Sequence, residues 1–245
     1  AQKRLSADTV NFSASSSSLK KGESFKDTVQ NIEAMKIDAV VMRHPSPGSS
    51  VHLTKYIKSI VINAGDGAHE HPTQAILDMM SLKEKFGKIR GLKIGIIGDI
   101  AHSRVARSNI YGLIKMGAEV MVCGSPTLIP IEIISLGVKV SYNLDEVLDW
   151  ADAINVLRIQ LERMNRGLFP SVREYRKLFG ITDERLQKHN KEIVVLHPGP
   201  MNRGVEIDSS VADSKSAIIL DQVLNGVASR MAILYLFLGG SHNES

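Results

Sequence analysis

The chain has 245 residues, room for one large or two small domains, and its 43% hydrophobic and 23% charged content is ordinary for a globular protein. No apolar run approaches the roughly 20 residues of a bilayer span and the polar N-terminus lacks an apolar signal core, so a cytoplasmic protein without membrane partners is expected. The net charge of +4 comes from scattered basic residues with only 5% aromatics, which argues against a nucleic-acid partner and suits small anionic substrates.

In chain order, the opening AQKRLSADTVNF reads as a helix tail running into a strand at Thr9 to Phe12. The serine-rich SSSSLKKGES, Ser15 to Ser24, follows as a loop carrying Lys20, Lys21 and Gly22. It is either a polar linker or a mobile arm of lysines and hydroxyls that reaches an anion. Ser24 and Asp27 mark a helix start, with Phe25, Val29, Ile32 and Met35 as its apolar stripe. A strand at Ala39 to Met42 ends in Arg43, His44 and Pro45, and an arginine there is costly unless it is paired or meets an anion. A short helix over Ser49 to Lys58 and a strand at Ile60 to Ile62 complete a βαβαβ run, the pattern of a parallel, doubly wound sheet.

The next stretch, NAGDGAHEHPTQ at Asn63 to Gln74, lies between that strand and a helix whose Ala75, Met79, Leu82 and Phe86 fall 4, 3 and 4 residues apart. Such loops lie at the carboxyl ends of strands, where helix N-termini and free amides meet ligands. Pro72 suits the first helical turn. His71 and Gln74, three positions apart, can face one small ligand, one donating from a ring nitrogen and the other from a carboxamide. The alternative is a capped loop with a buried histidine.

GKIRG then reads as a hinge candidate, and the pattern restarts with the buried strand and turn LKIGIIGDI, a helix from Ser103 to Met116 and a strand at Glu119 to Cys123. Gly98 is followed by DIAHSR, so the G-x-G-x-x-G spacing of a dinucleotide fold is absent. Arg104 begins the helix, either over the strand ends or in a surface salt bridge. Cys123, the single cysteine, rules out an intrachain disulfide and sits in the apolar run EVMVCG, which points to a buried, inert thiol. Strands are expected at Lys139 to Tyr142 and Ala153 to Leu157, with a helix at Asp145 to Trp150 between them. In LRIQLER, extended geometry places Arg158, Gln160 and Glu162 on one face, as ligand donors or as a solvated rim. Helices at Ser171 to Phe179 and Thr182 to His189 lead to the strand Ile193 to Leu196 and to HPGPMNRG. There the prolines leave carbonyl oxygens as the free polar groups, suited to an NH2 on a ligand, and one X-Pro bond could be cis. Val223, Val227, Met231, Leu234 and Leu238 define a long closing helix, interrupted by Asp221, Asn225 and Arg230, that packs on protein.

Taken together, SSLKKGES, VVMRHP, NAGDGAHEHPTQ, GDIAHSRVARS, VLRIQLER and VLHPGP resemble, in order and over essentially the whole chain, the motif series of aspartate carbamoyltransferase catalytic chains. The resemblance implies an α/β fold of two doubly wound domains with parallel sheets: residues 1–84 for carbamoyl phosphate and 85–218 for aspartate, with helix 219–240 returning to the first. It implies a homotrimer with shared active sites, and leaves open regulatory chains or a partner enzyme of pyrimidine biosynthesis. By position, Arg43, His71 and Gln74 would bind carbamoyl phosphate, its amide held by the backbone carbonyls near Gly199 and Pro200. Arg104, Arg158 and Gln160 would grip the carboxylates of L-aspartate, while Ser18 (or Ser17) and Lys21 would come from the adjacent subunit. His71, Arg43 and Lys21 would be the catalytic set, with no metal or other cofactor required.

The family's Ser-Thr-Arg-Thr phosphate segment belongs upstream of Ala1 and matches nothing here, so the chain resembles a fragment expected to show little turnover alone. The alternatives are a carbamoyltransferase for another amine such as ornithine, whose relatives carry a cysteine-containing loop near the HPGP position far from Cys123, and a non-catalytic subunit that keeps the fold.

Overall fold

Alternation of short apolar strands with helices produces parallel pairing in every sheet of the described chain. The computed structural model describes residues 1–12, 25–159 and 171–239. The elements are α1 (Phe25–Ala34), β1 (Ala39–His44), α2 (Ser49–Leu53), β2 (Ile60–Asp66), α3 (Pro72–Phe86), β3 (Lys93–Ile97), α4 (Arg104–Lys115) and β4 (Glu119–Cys123). They continue with β5 (Lys139–Ser141), α5 (Leu144–Trp150), β6 (Ala153–Val156), α6 (Val172–Phe179), α7 (Asp183–Gln187), β7 (Val194–Leu196), α8 (Ser209–Ala212) and α9 (Ile219–Leu238).

β1 and β2 form a two-stranded parallel sheet, and a second parallel sheet has the order β5-β4-β3-β6-β7. The chain builds outward from β3 to one side, then crosses back to the other, so a topological switch point lies between β3 and β6. Ligands bind at such crevices in open α/β sheets. β6 is buried throughout, as are all but the first residues of β3 and β4, because helices cover both faces of the sheet. One face carries Val147 and Leu148 of α5 with Tyr175 and Phe179 of α6. The other carries Leu82 of α3 with Ile110 and Leu113 of α4.

The helix ends follow local chemistry. Pro72 occupies the first turn of α3, and Gly87 closes it with φ 74°. Ser103 caps α4 by accepting from the amide of Ala106 at 3.1 Å, and Asn143 caps α5 through Asp145 at 3.0 Å. Cys123 is fully buried, and burial together with the nearby Glu146 pushes its thiol up to about 12, so it is inert.

Two expectations fail. Thr9 to Phe12 is exposed and pairs with no strand, so the first sheet has two described strands. The closing helix begins at Ile219, where it was expected, but its apolar stripe is not its buried face, and Val223 of that stripe is 64% exposed. Its inner face instead holds Gln222, Asn225, Gly226 and Ser229, because the partner surface on α3 is polar where the two helices meet. No helix of the described residues is long and apolar enough to cross a membrane.

Helix α5 lies very close to the centre of β3. A Cβ on Gly95 would stand 2.7 Å from Cγ1 of Val147, deep in the core. Gly95→Ala is therefore expected to destabilise the fold by about 1–3 kcal/mol through overpacking, read as a lower midpoint in urea unfolding. An unchanged midpoint would mean that α5 is not seated there.

Candidate active site

The loop from β2 into α3 is organised by a buried carboxylate. Asp66, 2% exposed, accepts at Oδ1 from the amide of Glu70 (3.0 Å) and Nδ2 of Asn63 (3.0 Å) and at Oδ2 from the amide of Gly48 (2.7 Å), and Oδ2 also lies 3.1 Å from Nδ1 of His69. Burial pushes this carboxyl up, but the bonds from Asn63, His69, Gly48 and Glu70 outweigh it and hold the group below its ordinary value. The next residues are pinned to α4. The hydroxyl of Ser108 donates to Glu70 and accepts from the amide of His71 at 2.8 Å, while Nε of Arg107 reaches Glu70 at 3.2 Å.

His71 thus arrives at the N-cap of α3 with its backbone fixed, its carbonyl accepting from the amide of Gln74 at 2.9 Å. Its ring is largely buried, and Nδ1 is closed off without a hydrogen-bond partner among the described residues. Burial, with the charges of Arg104, Arg230 and Arg43 in that order, lowers its pKa to about 4. A neutral imidazole at a helix N-terminus, ringed by three guanidinium groups, can offer an N–H to an anion without adding charge of its own.

Arg104 is the first residue of α4 and donates to the carbonyl of Gly67 at 3.2 Å. Gly65, at φ 120°, is what admits it: a Cβ there would lie 2.8 Å from Nε of Arg104. Arg43 is the penultimate residue of β1 and is exposed. The structure therefore brings Arg43, His71 and Arg104 together at one end of the sheets. Gln74 lies beneath them, buried at 7% exposure, with Nε2 already donating to Asp78 at 3.0 Å. Its acceptor oxygen, more than the donor expected from sequence, is left for a ligand.

Arg158 stands two residues past β6 and is half-buried, and it is not one of the three charges that act most on His71. The HPGP turn follows β7. The amide of Gly199 donates to Nδ1 of His197 at 2.9 Å, which leaves Nε2–H to donate to Glu206 at 3.3 Å, and the Gly199–Pro200 bond is cis. Glu206 also accepts from Nδ2 of Asn202, whose other bond goes to the carbonyl of Ile159, so this turn is tied to the end of β6 near Arg158. Ser17, Ser18, Lys20, Lys21, the Ser24 cap and the LRIQLER residues from Gln160 onward lie outside the described residues.

Sequence reading missed Asp66, Asp78 and Arg230. Asp78 had a signal, since an acid four residues after Gln74 falls on the same side of the helix as Gln74, among Ala75, Leu77 and Leu82.

The family model for the carbamoyl-phosphate-binding domain of aspartate/ornithine carbamoyltransferases matches residues 1–84, and the model for the Asp/Orn-binding domain matches residues 90–237. The chain belongs to the aspartate/ornithine carbamoyltransferase family. It is 61% identical over 236 residues to an aspartate carbamoyltransferase catalytic subunit from Christiangramia forsetii, covering 96% of this chain and 76% of that one. A catalytic subunit of the same name from Cytophaga hutchinsonii is 62% identical, with 98% and 78% covered. Among solved structures, aspartate transcarbamoylase from Trypanosoma cruzi with N-(phosphonacetyl)-L-aspartic acid superposes with a TM-score of 0.83 at 30% identity, covering 96% of this chain and 76% of that one.

The depressed pKa of His71 has a measurable consequence. Between pH 6.5, the ordinary histidine value, and about 4, the unfolded chain binds a proton at this position that the folded protein refuses. Stability is thus fully present above pH 6.5, falls as the pH drops through that window and levels off below it, by no more than about 3 kcal/mol. In His71→Gln this portion of the slope should vanish in urea unfolding measured from pH 7 to pH 4. An identical slope in both proteins would show that His71 is not held neutral.

Proposed function

We propose that the protein transfers the carbamoyl group of carbamoyl phosphate to the α-amine of L-aspartate, giving N-carbamoyl-L-aspartate and phosphate. The observation that carries this reading is the neutral His71 set among Arg43, Arg104 and Arg230 at the start of α3, in a chain about 60% identical along nearly its whole length to aspartate carbamoyltransferase catalytic subunits. Residues 1–84 with the returning α9 form the carbamoyl-phosphate side and residues 85–218 the aspartate side. The chain acts as a homotrimer in the cytoplasm, with Ser18 (or Ser17) and Lys21 entering the neighbouring subunit's site.

The reaction is direct acyl transfer. The unprotonated α-amine attacks the carbamoyl carbon and a tetrahedral intermediate forms. The C–O bond to phosphate then breaks, and the departing phosphate takes the proton released by the amine. His71 and Arg43 donate to the carbonyl oxygen as it gains charge, each such donor contributing about 3 kcal/mol. Because His71 is neutral, its remaining N–H is far too weakly acidic to pass to the phosphate, and the ring serves as a fixed dipole. Gln74 and the carbonyls at Gly199 and Pro200 accept from the carbamoyl NH2, which sets the plane of the group facing the amine. Arg104, Arg158 and Gln160 hold the two carboxylates, the arginines in forked geometry. Alignment of the two reactants supplies much of the remaining acceleration.

The reading is tested by ligand-induced thermal stabilisation. N-(phosphonacetyl)-L-aspartate should raise Tm, the corresponding phosphonacetyl-ornithine should not, and Arg104→Ala should weaken the first effect by roughly 10- to 100-fold in affinity, the value of a lost charged hydrogen bond. Equal stabilisation by both compounds, or by neither, would overturn it.

A further inference from the structure

Directly beneath Gln74, one helical turn along α3, the carboxylate of Asp78 is 1% exposed and surrounded by carboxamides. Oδ1 accepts from Nε2 of Gln74 at 3.0 Å and Nε2 of Gln222 at 2.7 Å. Oδ2 accepts from Nδ2 of Asn109 at 2.7 Å and Nδ2 of Asn155 at 3.1 Å. The four donors come from α3, α9, α4 and β6.

Backbone groups fix two of these carboxamides independently. Oε1 of Gln222 accepts the amide of His197 at 2.9 Å, so its NH2 must point at Asp78. Nδ2 of Asn109 also donates to the carbonyl of Val105 at 3.1 Å, which sets its orientation too. Both oxygens of Asp78 are therefore acceptors, and any carboxamide that reaches them has to turn its NH2 inward and its oxygen away. For Asn109 and Asn155 the outward oxygens are buried without a partner. The oxygen of Gln74 is not closed off in that way, and it makes no hydrogen bond among the described residues.

We propose that Asp78 is a positioning residue that determines substrate specificity: it locks Gln74 with its carbonyl oxygen toward the substrate, so that the site selects an acyl phosphate bearing NH2 over one bearing CH3. The inference rests on the reading of the site as a carbamoyl-phosphate site and adds what chooses the carbamoyl group there. Through Gln222 the same carboxylate holds the amide of His197, at the head of the turn whose carbonyls face the same NH2. Acetyl phosphate is nearly isosteric with carbamoyl phosphate and cannot donate, so a fixed acceptor discriminates against it by leaving an unpaired polar atom. A freely flipping Gln74 would accept from one ligand or turn its NH2 away from the other, and would discriminate poorly.

The test is the ratio of dissociation constants for acetyl phosphate and carbamoyl phosphate, measured by calorimetry alongside Tm. The protein should prefer carbamoyl phosphate by about tenfold or more, the scale of one well-made hydrogen bond. In Asp78→Asn, which keeps the shape but presents an NH2 to the cluster, most of that preference should disappear, through weaker binding of carbamoyl phosphate with acetyl phosphate little changed. Equal weakening of both ligands would indicate general loosening and overturn the proposal. Should D78N fold poorly, the double variant D78N/Q222E returns a carboxylate to the cluster, where it can accept from the new asparagine and from the amide of His197. Its Tm should recover while the preference stays lost, because Gln74 then faces a carboxamide. Recovery of the preference together with Tm would overturn the proposal. If the unaltered protein bound neither ligand, the carbamoyl-phosphate reading would fall and this inference with it. Discrimination retained in full by D78N would remove this inference alone.

Discussion

A single buried carboxylate, Asp78, ties together α3, α4, β6 and α9. Removing an ionised group from water costs several kcal/mol. Burial pushes its pKa up, and the bonds from Asn109, Gln222, Gln74 and Asn155 pull it back only in part, so the carboxyl stays above its ordinary value. Each hydrogen bond to a charged group contributes about 1.5–3 kcal/mol, so four together can offset the desolvation only if all are made. Asp78 is therefore an all-or-none joint between helices far apart in sequence, Gln222 lying 144 residues further on. Asn225 extends the joint by donating to Ser81 and Glu84 on the next turns of α3.

A second carboxylate performs the same service for the loop above. Asp66 gathers Gly48, Asn63, His69 and Glu70, and Glu70 passes the restraint to α4 through Ser108. His71 lies between these two anchored layers, its backbone held from α4 and its helix held from below. The cations around it are placed by separate elements: Arg43 by β1, Arg104 by α4 beside Gly65, and Arg230 by α9. Burial and repulsion from those charges keep the imidazole neutral, and the same charges make the potential around it positive. The site's chemistry is thus a consequence of its mechanical support.

Much of this could be read from the chain, and the exceptions have physical causes. The strands β3, β4 and β6 are continuous apolar runs, the signature of parallel strands covered on both faces, and they lie where periodicity placed them. The NAGDGAHEHPTQ loop and the HPGP turn announced themselves through glycine, proline and histidine. Apolar periodicity failed for α9, whose buried side carries Gln222 and Asn225, because a helix that docks on a buried charge hides carboxamides and leaves Leu220, Val223 and Leu224 exposed. The strand expected at Thr9 to Phe12 has suitable residue types, but a strand exists only where a partner offers hydrogen bonds. Gln74 was legible as a residue of the same loop-to-helix junction as His71. Its orientation was not, since that depends on an acid whose importance comes from three partners distant in sequence.

The arrangement of carboxamides around Asp78 requires it to be an ionised acceptor at neutral pH. The direct measurement is the side-chain carboxyl resonance of Asp78 in 13C NMR, assigned by its loss in D78N and followed from pH 8 downward. Asp78 should show the chemical shift of a carboxylate at pH 7, with protonation only at lower pH and accompanied by loss of the folded signals. A resonance at the position of a neutral carboxylic acid at pH 7 would contradict it, because a protonated Asp78 could not accept from four NH2 groups and would no longer dictate which way Gln74 faces.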